Sequence, residues 1–315
     1  MTALSEALPA HGIRVCLGDD FANCDALLFC VSCHRSLINA YTRRGRAIIQ
    51  RLDGVHYWQK HGFSAWRRNR AIKNCFRAST FKIFQSQYCR IACAEIIGRC
   101  RDDECRVIIN GIDDRIFFPN SSHSELRLAK PAFVSAGNFR NADMLVPIIR
   151  ALDRFAAVTE FTYTIVGPVH LSLEPLLRHR PYLTTLESLD RQSLANLLRR
   201  SDVFLFSSLN PPCPNAVLEA VACGLPVVSF DDGAMPELLN HQPELLAPAG
   251  TGVFRRACDL SADEYLKCIV RATSSCGDFR DRAVKKSLSL SIRETCRDYV
   301  DVFVTAAAQA ASTRR

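Results

Sequence analysis

Residues 210–239, NPPCPNAVLEAVACGLPVVSFDDGAMPELL, decide how this chain is read. Within them a single carboxylate, Glu219, sits in a segment otherwise made of Ala, Val, Leu and Cys, with Pro214 just inside its start and Gly224 at its end. Proline is favoured in a first helical turn, which has no hydrogen bond to lose, and glycine just past the last one, so the spacing predicts a helix of about ten residues. A charge among apolar side chains is costly unless hydrogen-bond donors meet it. The segment follows a strand-like run, DVFLFSS (202–208), so its amino end opens where ligands of open α/β sheets bind. There the amides of Asn215, Ala216 and Val217 are expected to cradle a diphosphate, and Glu219, one turn further in, to accept hydrogen bonds from both hydroxyls of a ribose. The alternative is a structural glutamate, paired with a buried arginine or capping a helix.

Outward from this segment the chain alternates strand-like and helical runs. IRVCL (13–17), DALLFCV (25–31), AIIQRL (47–52), FKIFQS (81–86) and RVIING (106–111) read as strands in the first half; AFVSAG, FTYTIVG, YLTTLES, DVFLFSS and PVVSF read so in the second. MLVPIIRALDRFA and SLANLLRRS read as helices between them. Alternation of this kind predicts parallel sheets with crossover helices. The expected class is α/β, with two doubly wound Rossmann-like domains facing across a cleft. The N-terminal domain is assigned to 1–120, a linker to the polar 121–131, the second domain to 132–290, and a C-terminal helix to 291–315. No G-x-G-x-x-G or Walker-type lysine loop occurs, so neither a dehydrogenase nor a P-loop NTPase is indicated.

The 315 residues carry a net charge of +8, and it is not evenly spread. Through Asn120 there are 18 Lys and Arg against 11 Asp and Glu, whereas the remainder is nearly balanced. Between Asp53 and Glu95 no acid occurs, while Lys60, Arg67, Arg68, Arg70, Lys73, Arg77, Lys82 and Arg90 do, interleaved with Phe63, Trp66, Phe76 and Phe81. Such a stretch suits phosphate or an anionic membrane face; on spacing alone it equally suits a solvated helix face. The fifteen cysteines are scattered and lack paired zinc-binding spacing, so they read as thiols. The N-terminus, MTALSEALPAHGIRV, has no basic stretch followed by a long apolar run. The expectation is a cytoplasmic protein, peripheral at the inner membrane face.

PNAVLEAVACGLPVVSFDDGAMPELL resembles the nucleotide-sugar signature of the retaining glycosyltransferases of family four, the group 1 transferases of GT-B architecture. IIQRLDGVHYW, FQSQYCR, VIINGIDDRIFFP, FVSAGNFR, YTIVGPV and RRSDVFLFSS support the resemblance in the right order, over about residues 1–245. The resemblance implies that Glu219 is the second glutamate of a paired motif and holds the nucleotide ribose. It further implies that Gly233 lies in a loop near the donor sugar, that Glu237 is the acid opening the following helix, and that Gly137 lets the first loop of the second domain approach the diphosphate. Asp231 and Asp232 read as a tight turn, and no metal or other cofactor is expected.

Three departures accompany the match. Pro211 stands where the first glutamate of the pair would be; Asn138 and Asp143 stand where an arginine and a lysine would clamp the diphosphate, with Arg140 the nearby cation. Relatives open with a strand and a glycine-rich loop, whereas this chain begins in what reads as the helix after it, either because the start is assigned too far downstream or because part of the N-terminal domain is absent.

The expected function is transfer of a sugar from a nucleoside diphosphate donor to a saccharide or lipid-linked acceptor with retention, in cell-surface polysaccharide or glycolipid synthesis. Asp53, His56 and Arg140 are the catalytic candidates, with Arg51 beside the first two. His56 either holds a sugar hydroxyl or the acceptor, or is structural. Leu186 and Glu187 are placed near the nucleobase. No nucleic-acid partner is expected. The competing readings are a degenerate nucleotide-sugar-binding module and, less well supported, a nucleotide-sugar epimerase.

Overall fold

A computed structural model describes residues 2–16, 24–120, 130–250, 253–254 and 260–312. The chain forms two compact units, one of residues 1–111 and 292–315, the other of residues 112–291. Both are α/β with wholly parallel sheets.

In the first unit, β1 (Ala26–Cys30), β2 (Ala47–Leu52), β3 (Phe81–Phe84) and β4 (Cys105–Val107) lie side by side in sequence order. All six residues of β2 are buried, as expected of a strand covered on both faces. The pleat divides its side chains. Ile49, with Phe81 and Ile83, packs under the C-terminal helix Ile292–Ser312, against Cys296, Tyr299, Val302 and Ala306. Ile48 and Leu52 face the opposite layer, where Tyr41, Ile72, Phe76 and Cys89 come from the helices Arg35–Arg43, Ser64–Ala78 and Gln87–Ile96.

The strand expected at 13–17 does not form: residues 13–16 make no ladder, and Leu17 lies outside the described residues. Ile13 and Val15 instead pack beside the C-terminal helix, so their alternation is satisfied by side-chain burial without strand pairing. RVIING is also shorter as a strand than expected. Pairing is carried by Cys105–Val107, and Ile108 N–H still reaches Phe84 O at 2.8 Å before the chain leaves the sheet.

In the second unit, β5 (Ala132–Ala136), β6 (Thr162–Val166), β7 (Leu183–Leu186), β8 (Val203–Leu205), β9 (Val227–Phe230) and β10 (Leu246–Ala247) form one sheet in the order β10-β9-β8-β5-β6-β7. The chain winds outward from β5 through β6 and β7, then returns to pair β8 on the other side of β5. This is the doubly wound Rossmann order, with its switch point between β5 and β8. Side chains from the helices Val146–Phe155 and Ala262–Ser274 fill the core beside Phe133, Tyr163, Ile165 and Leu205.

The unit boundaries differ from those expected. Residues 112–120 join the second unit: Ile112 N–H donates to Leu290 O at 2.7 Å, Phe117 is buried, and Arg199 Nη1 donates to Ile116 O at 3.0 Å. The final helix packs on the first sheet because its Tyr299, Val302 and Ala306 face has its apolar partners there. Of the expected linker, residues 121–129 lie outside the described residues.

Tyr265 ties the second core together. Its buried hydroxyl donates to Val228 O at 2.9 Å and accepts from Phe206 N–H at 3.0 Å, joining the ends of β8 and β9. Tyr265→Phe is expected to lower the unfolding free energy by about 1–3 kcal/mol in urea denaturation, since it strips a hydrogen-bonding group from a site without water.

Candidate functional site

Three loops leave the carboxyl ends of β5, β8 and β9, and side chains bind them to one another. In the first, Gly137 is exposed and donates its N–H to Val166 O at 3.0 Å; a Cβ added there would meet no atom within 4 Å, so the space before it is open. Arg140 is exposed as well, and its Nε donates to Asn138 Oδ1 at 3.0 Å. Asp143, which stands where a clamping lysine was expected, accepts the Leu209 N–H on Oδ2 at 3.1 Å, and its carbonyl accepts the Ser207 hydroxyl at 2.9 Å. An acidic side chain thus fastens the loop after β5 to the loop after β8.

The loop after β8 reaches the Glu219 helix through Asn210, whose φ of 53° turns the chain into the left-handed region. Its N–H donates to the buried Asp232 carboxylate, and Pro211 O accepts the Ala234 N–H at 2.8 Å. Gly233, with φ 59°, lies so close beneath that a Cβ would come within 2.4 Å of Pro211 Cδ and 2.6 Å of its carbonyl oxygen. Asp231 in turn accepts the Ala249 N–H at 2.7 Å. The adjacent aspartates therefore brace loops, in keeping with the turn read from the sequence. Among the described residues no group of three or more His, Cys, Asp and Glu side chains is arranged to hold a metal ion.

The helix runs Asn215–Ala222, eight residues rather than ten, because Pro214 is its extended N-cap and not part of its first turn. At the other end Gly224 N–H donates to Val221 O at 2.9 Å and Leu225 N–H to Ala220 O at 3.0 Å, the pair of bonds that closes a helix on a glycine. Val217 N–H turns back to Pro214 O at 3.1 Å, so of the three amides expected to cradle a diphosphate that one is already engaged. Asn215 is exposed and Ala216 partly so.

Glu219 lies one turn inside, partly buried, and no hydrogen bond or ion pair engages its carboxylate among the described residues. Burial pushes its pKa up to about 7, against the pull of the Arg191 guanidinium, which is held 5.4 Å from the Phe117 ring centre. Arg191 gave no sequence signal of its own; it reaches Glu219 only through the fold. Glu237 sits in the first turn of the short helix Met235–Leu238, where an acid was expected. Leu186 ends β7, and Glu187 beyond it is exposed.

Asp53 and His56 belong to the first unit. Arg51 is buried at the end of β2; its Nη1 pairs with Asp53 Oδ1 at 3.0 Å, and its Nη2 donates to Asn110 Oδ1 at 2.7 Å. Gln85 donates to the same aspartate oxygen and accepts from Asn110 Nδ2 at 3.4 Å, closing a ring of four polar side chains across the ends of β2, β3 and β4. The sequence pointed to Arg51 and Asp53 but not to Gln85 or Asn110, whose partners lie 25 to 59 residues away. Beside this ring Val31, a β-branched residue, holds φ 62° at the end of β1. His56 is fixed through its backbone, with N–H to Asn69 Oδ1 at 3.0 Å and O accepting from Asn69 Nδ2. Burial, with His61 and Arg68 nearby, holds its pKa below the usual imidazole range, and its buried Nδ1 has no hydrogen-bond partner among the described residues.

A doubly wound parallel sheet, with loops after β5, β8 and β9 tied to one another at its switch point, defines the class, a Rossmann-type unit. Residues 130–263 match the family described as Glycosyl transferases group 1, the family the motifs resemble. Over 174 residues the chain is 25% identical to the N-acetyl-alpha-D-glucosaminyl L-malate synthase of Bacillus anthracis, covering 52% of this chain and 46% of the relative. Over 145 residues it is 30% identical to a component of the phosphatidylinositol N-acetylglucosaminyltransferase of Arabidopsis thaliana, covering 45% and 32%. The matched segments thus span less than half of each of these curated relatives. In fold the chain is similar to sucrose-phosphate synthase from Thermosynechococcus elongatus, with a TM-score of 0.73 at 15% identity, covering 96% of this chain and 77% of that one. It is also similar to Anabaena HepE solved with UDP, with a TM-score of 0.70 at 16% identity over 89% and 79%. The fold class is the expected one, that of the GT-B glycosyltransferases.

The raised Glu219 pKa has a consequence for stability. Between its ordinary value of 4.5 and about 7 the folded protein keeps a proton that the unfolded chain has released, so this group's contribution to stability falls as pH rises through that window and its full cost is present above it. Glu219→Gln is therefore expected to stabilise the ligand-free protein by about 1–3 kcal/mol at pH 8 and hardly at all near pH 4.5, read from denaturant midpoints at the two pH values.

Proposed function

We propose that the chain is a glycosyltransferase that moves a sugar from a nucleoside diphosphate donor to an acceptor hydroxyl with retention at the anomeric carbon, in polysaccharide or glycolipid synthesis. The observation that carries this reading is Glu219: a carboxylate desolvated by burial, with no partner among the described residues, one turn behind a helix N-terminus at a switch point. A ribose supplies two hydroxyl donors to such a group, and the helix N-terminus favours the adjoining diphosphate.

In the reaction the bond from the anomeric carbon to the leaving phosphate oxygen breaks with its electron pair on the diphosphate, and the acceptor oxygen bonds to the same face of that carbon. The acceptor proton passes to the departing phosphate oxygen. Charge builds on the diphosphate in this step, so amides near Ala216 and the Arg140 guanidinium accelerate it by meeting that charge more strongly in the transition state than in the ground state. Among the described residues Arg140 bonds to Asn138 alone, a local contact two positions away. Asp53 and His56 serve as positioning groups on the acceptor side: the aspartate orders Arg51 and Gln85, and the histidine backbone is locked to Asn69.

A second reading, a nucleotide-sugar-binding module without transfer, draws on two observations. Pro211 is buried against Gly233, where a glutamate would reach the donor sugar, and the Asp143 carboxylate is spent on Leu209 where a clamping cation would stand. Binding separates from turnover in one set of measurements. Nucleoside diphosphate sugars are expected to raise the thermal midpoint, as any ligand of the native state does. Glu219→Ala should remove that shift and raise the donor KM at least tenfold, and an unaltered donor KM sinks the ribose assignment. A shift from the intact donor, with neither transfer nor donor hydrolysis across a panel of acceptors, would select the binding module.

A further inference from the structure

Trp58, Phe63 and Trp66 are 58%, 86% and 69% exposed. Trp58 opens the short helix Trp58–His61, Phe63 precedes the helix Ser64–Ala78, and Trp66 lies in the first turn of the latter. The Trp58 and Phe63 rings meet edge to face at 4.7 Å, and Trp66 follows Phe63 by three positions, about one helical turn on, so the three exposed rings lie close along one stretch of the first unit. Scattered exposed apolar side chains are ordinary, but three large rings within nine positions form a patch that water solvates poorly.

The helix that carries this patch has two faces. Ala65, Asn69, Ile72, Cys75 and Phe76 are buried, while Arg67, Arg68, Arg70 and Arg77 are exposed. Elsewhere in the same unit exposed arginines meet carboxylates: Arg101 pairs with Asp103 at 2.8 Å, and Arg106 with Asp298 at 3.3 Å. Among the described residues none of the four on this helix, nor Lys73, has such a partner, and the sequence offers no acid between Asp53 and Glu95. Arg70 lies 5.7 Å from the Trp66 ring centre, so cation and aromatic share one surface.

We propose that this surface docks onto an anionic phospholipid bilayer, the three rings entering the interfacial layer and the arginines meeting lipid phosphates. Unneutralised cations call for an anionic partner, and the aromatic tips specify a surface that is wet at one level and apolar just below it, the level at which tryptophan collects in bilayers. A ring as exposed as Phe63 stands out from the surface and so suits insertion between headgroups more than stacking along a nucleic-acid groove. Docking of this kind would bring the protein to acceptors carried on lipid. It does not depend on the sugar-transfer reading, because lipid contact is measured without turnover.

Trp58 and Trp66 are the two tryptophans of the chain, so tryptophan emission reports on this patch alone. Vesicles of equimolar phosphatidylglycerol and phosphatidylcholine should shift the emission of the unaltered protein to the blue, and brominated acyl chains should quench it by more than about half if the rings reach the interface. Co-sedimentation should fall about tenfold or more between 0.1 M and 1 M salt, as the screening length contracts from about 10 Å to about 3 Å. The triple variants Trp58→Ser, Phe63→Ser, Trp66→Ser and Arg67→Gln, Arg68→Gln, Arg70→Gln should each lose most of the bound fraction at an unchanged thermal midpoint. Absence of quenching in the unaltered protein overturns the proposal whatever the variants do. Equal binding to pure phosphatidylcholine, or displacement from anionic vesicles by a short RNA that itself leaves the tryptophans unquenched when bound, would also overturn it.

Discussion

The hydrogen bond from Leu209 N–H to the Asp143 carboxylate joins the two loops that part company at the switch point of the second sheet. Parallel strands β5 and β8 are neighbours whose following loops run in opposite senses, and the crevice between them has a fixed shape only if something bridges it. Here that bridge is a carboxylate on one backbone amide, with the Ser207 hydroxyl on the Asp143 carbonyl as a second tie. Asp232 repeats the device one loop further on, holding Asn210 N–H while Gly233 lets Pro211 settle against the turn. Charge-assisted bonds to amides are among the stronger of their kind, so the loop ahead of the Glu219 helix is braced at successive residues.

This bracing makes sense of an otherwise costly arrangement. Glu219 is raised well above the ordinary carboxylate range by burial, with Arg191 too weakly placed to offset it. A protein optimised for stability alone would carry an apolar residue or glutamine at this position. The cost is tolerated because the surrounding loops are held by other bonds. The same loops explain the departures from the family pattern. Asp143, where the resemblance leads one to expect a cation, is turned to the scaffold, and Pro211, at the place of the first glutamate of the pair, is packed against Gly233.

The first unit spends its polar side chains differently. Arg51, Asp53, Gln85 and Asn110 close on one another at the strand ends, a self-satisfied ring that fixes side-chain directions. Among the described residues the arginines of the basic helix Ser64–Ala78 meet no acid. Within one unit, then, internal cations are matched with acid and amide partners while those on the Ser64–Ala78 helix face outward, where charge remains available to a surface.

Much of this was legible in the order of residues alone, wherever the physics is local. Period-two and period-3.6 burial marked most of the strands and helices, and Gly224 marked a helix end, because each rests on contacts a few residues apart. IRVCL failed as a strand although its alternation was right, since alternation states which side chains want burial and not whether a neighbouring strand is there to pair. Tertiary structure alone decided that residues 112–120 join the second unit and that the last helix returns to the first. It alone turned Asp143 from a missing clamp into a tie and brought the Arg191 charge to bear on Glu219. Those outcomes depend on which distant groups the sheet order brings within a few ångströms, and pairing between groups so far apart along the chain leaves no period to be read.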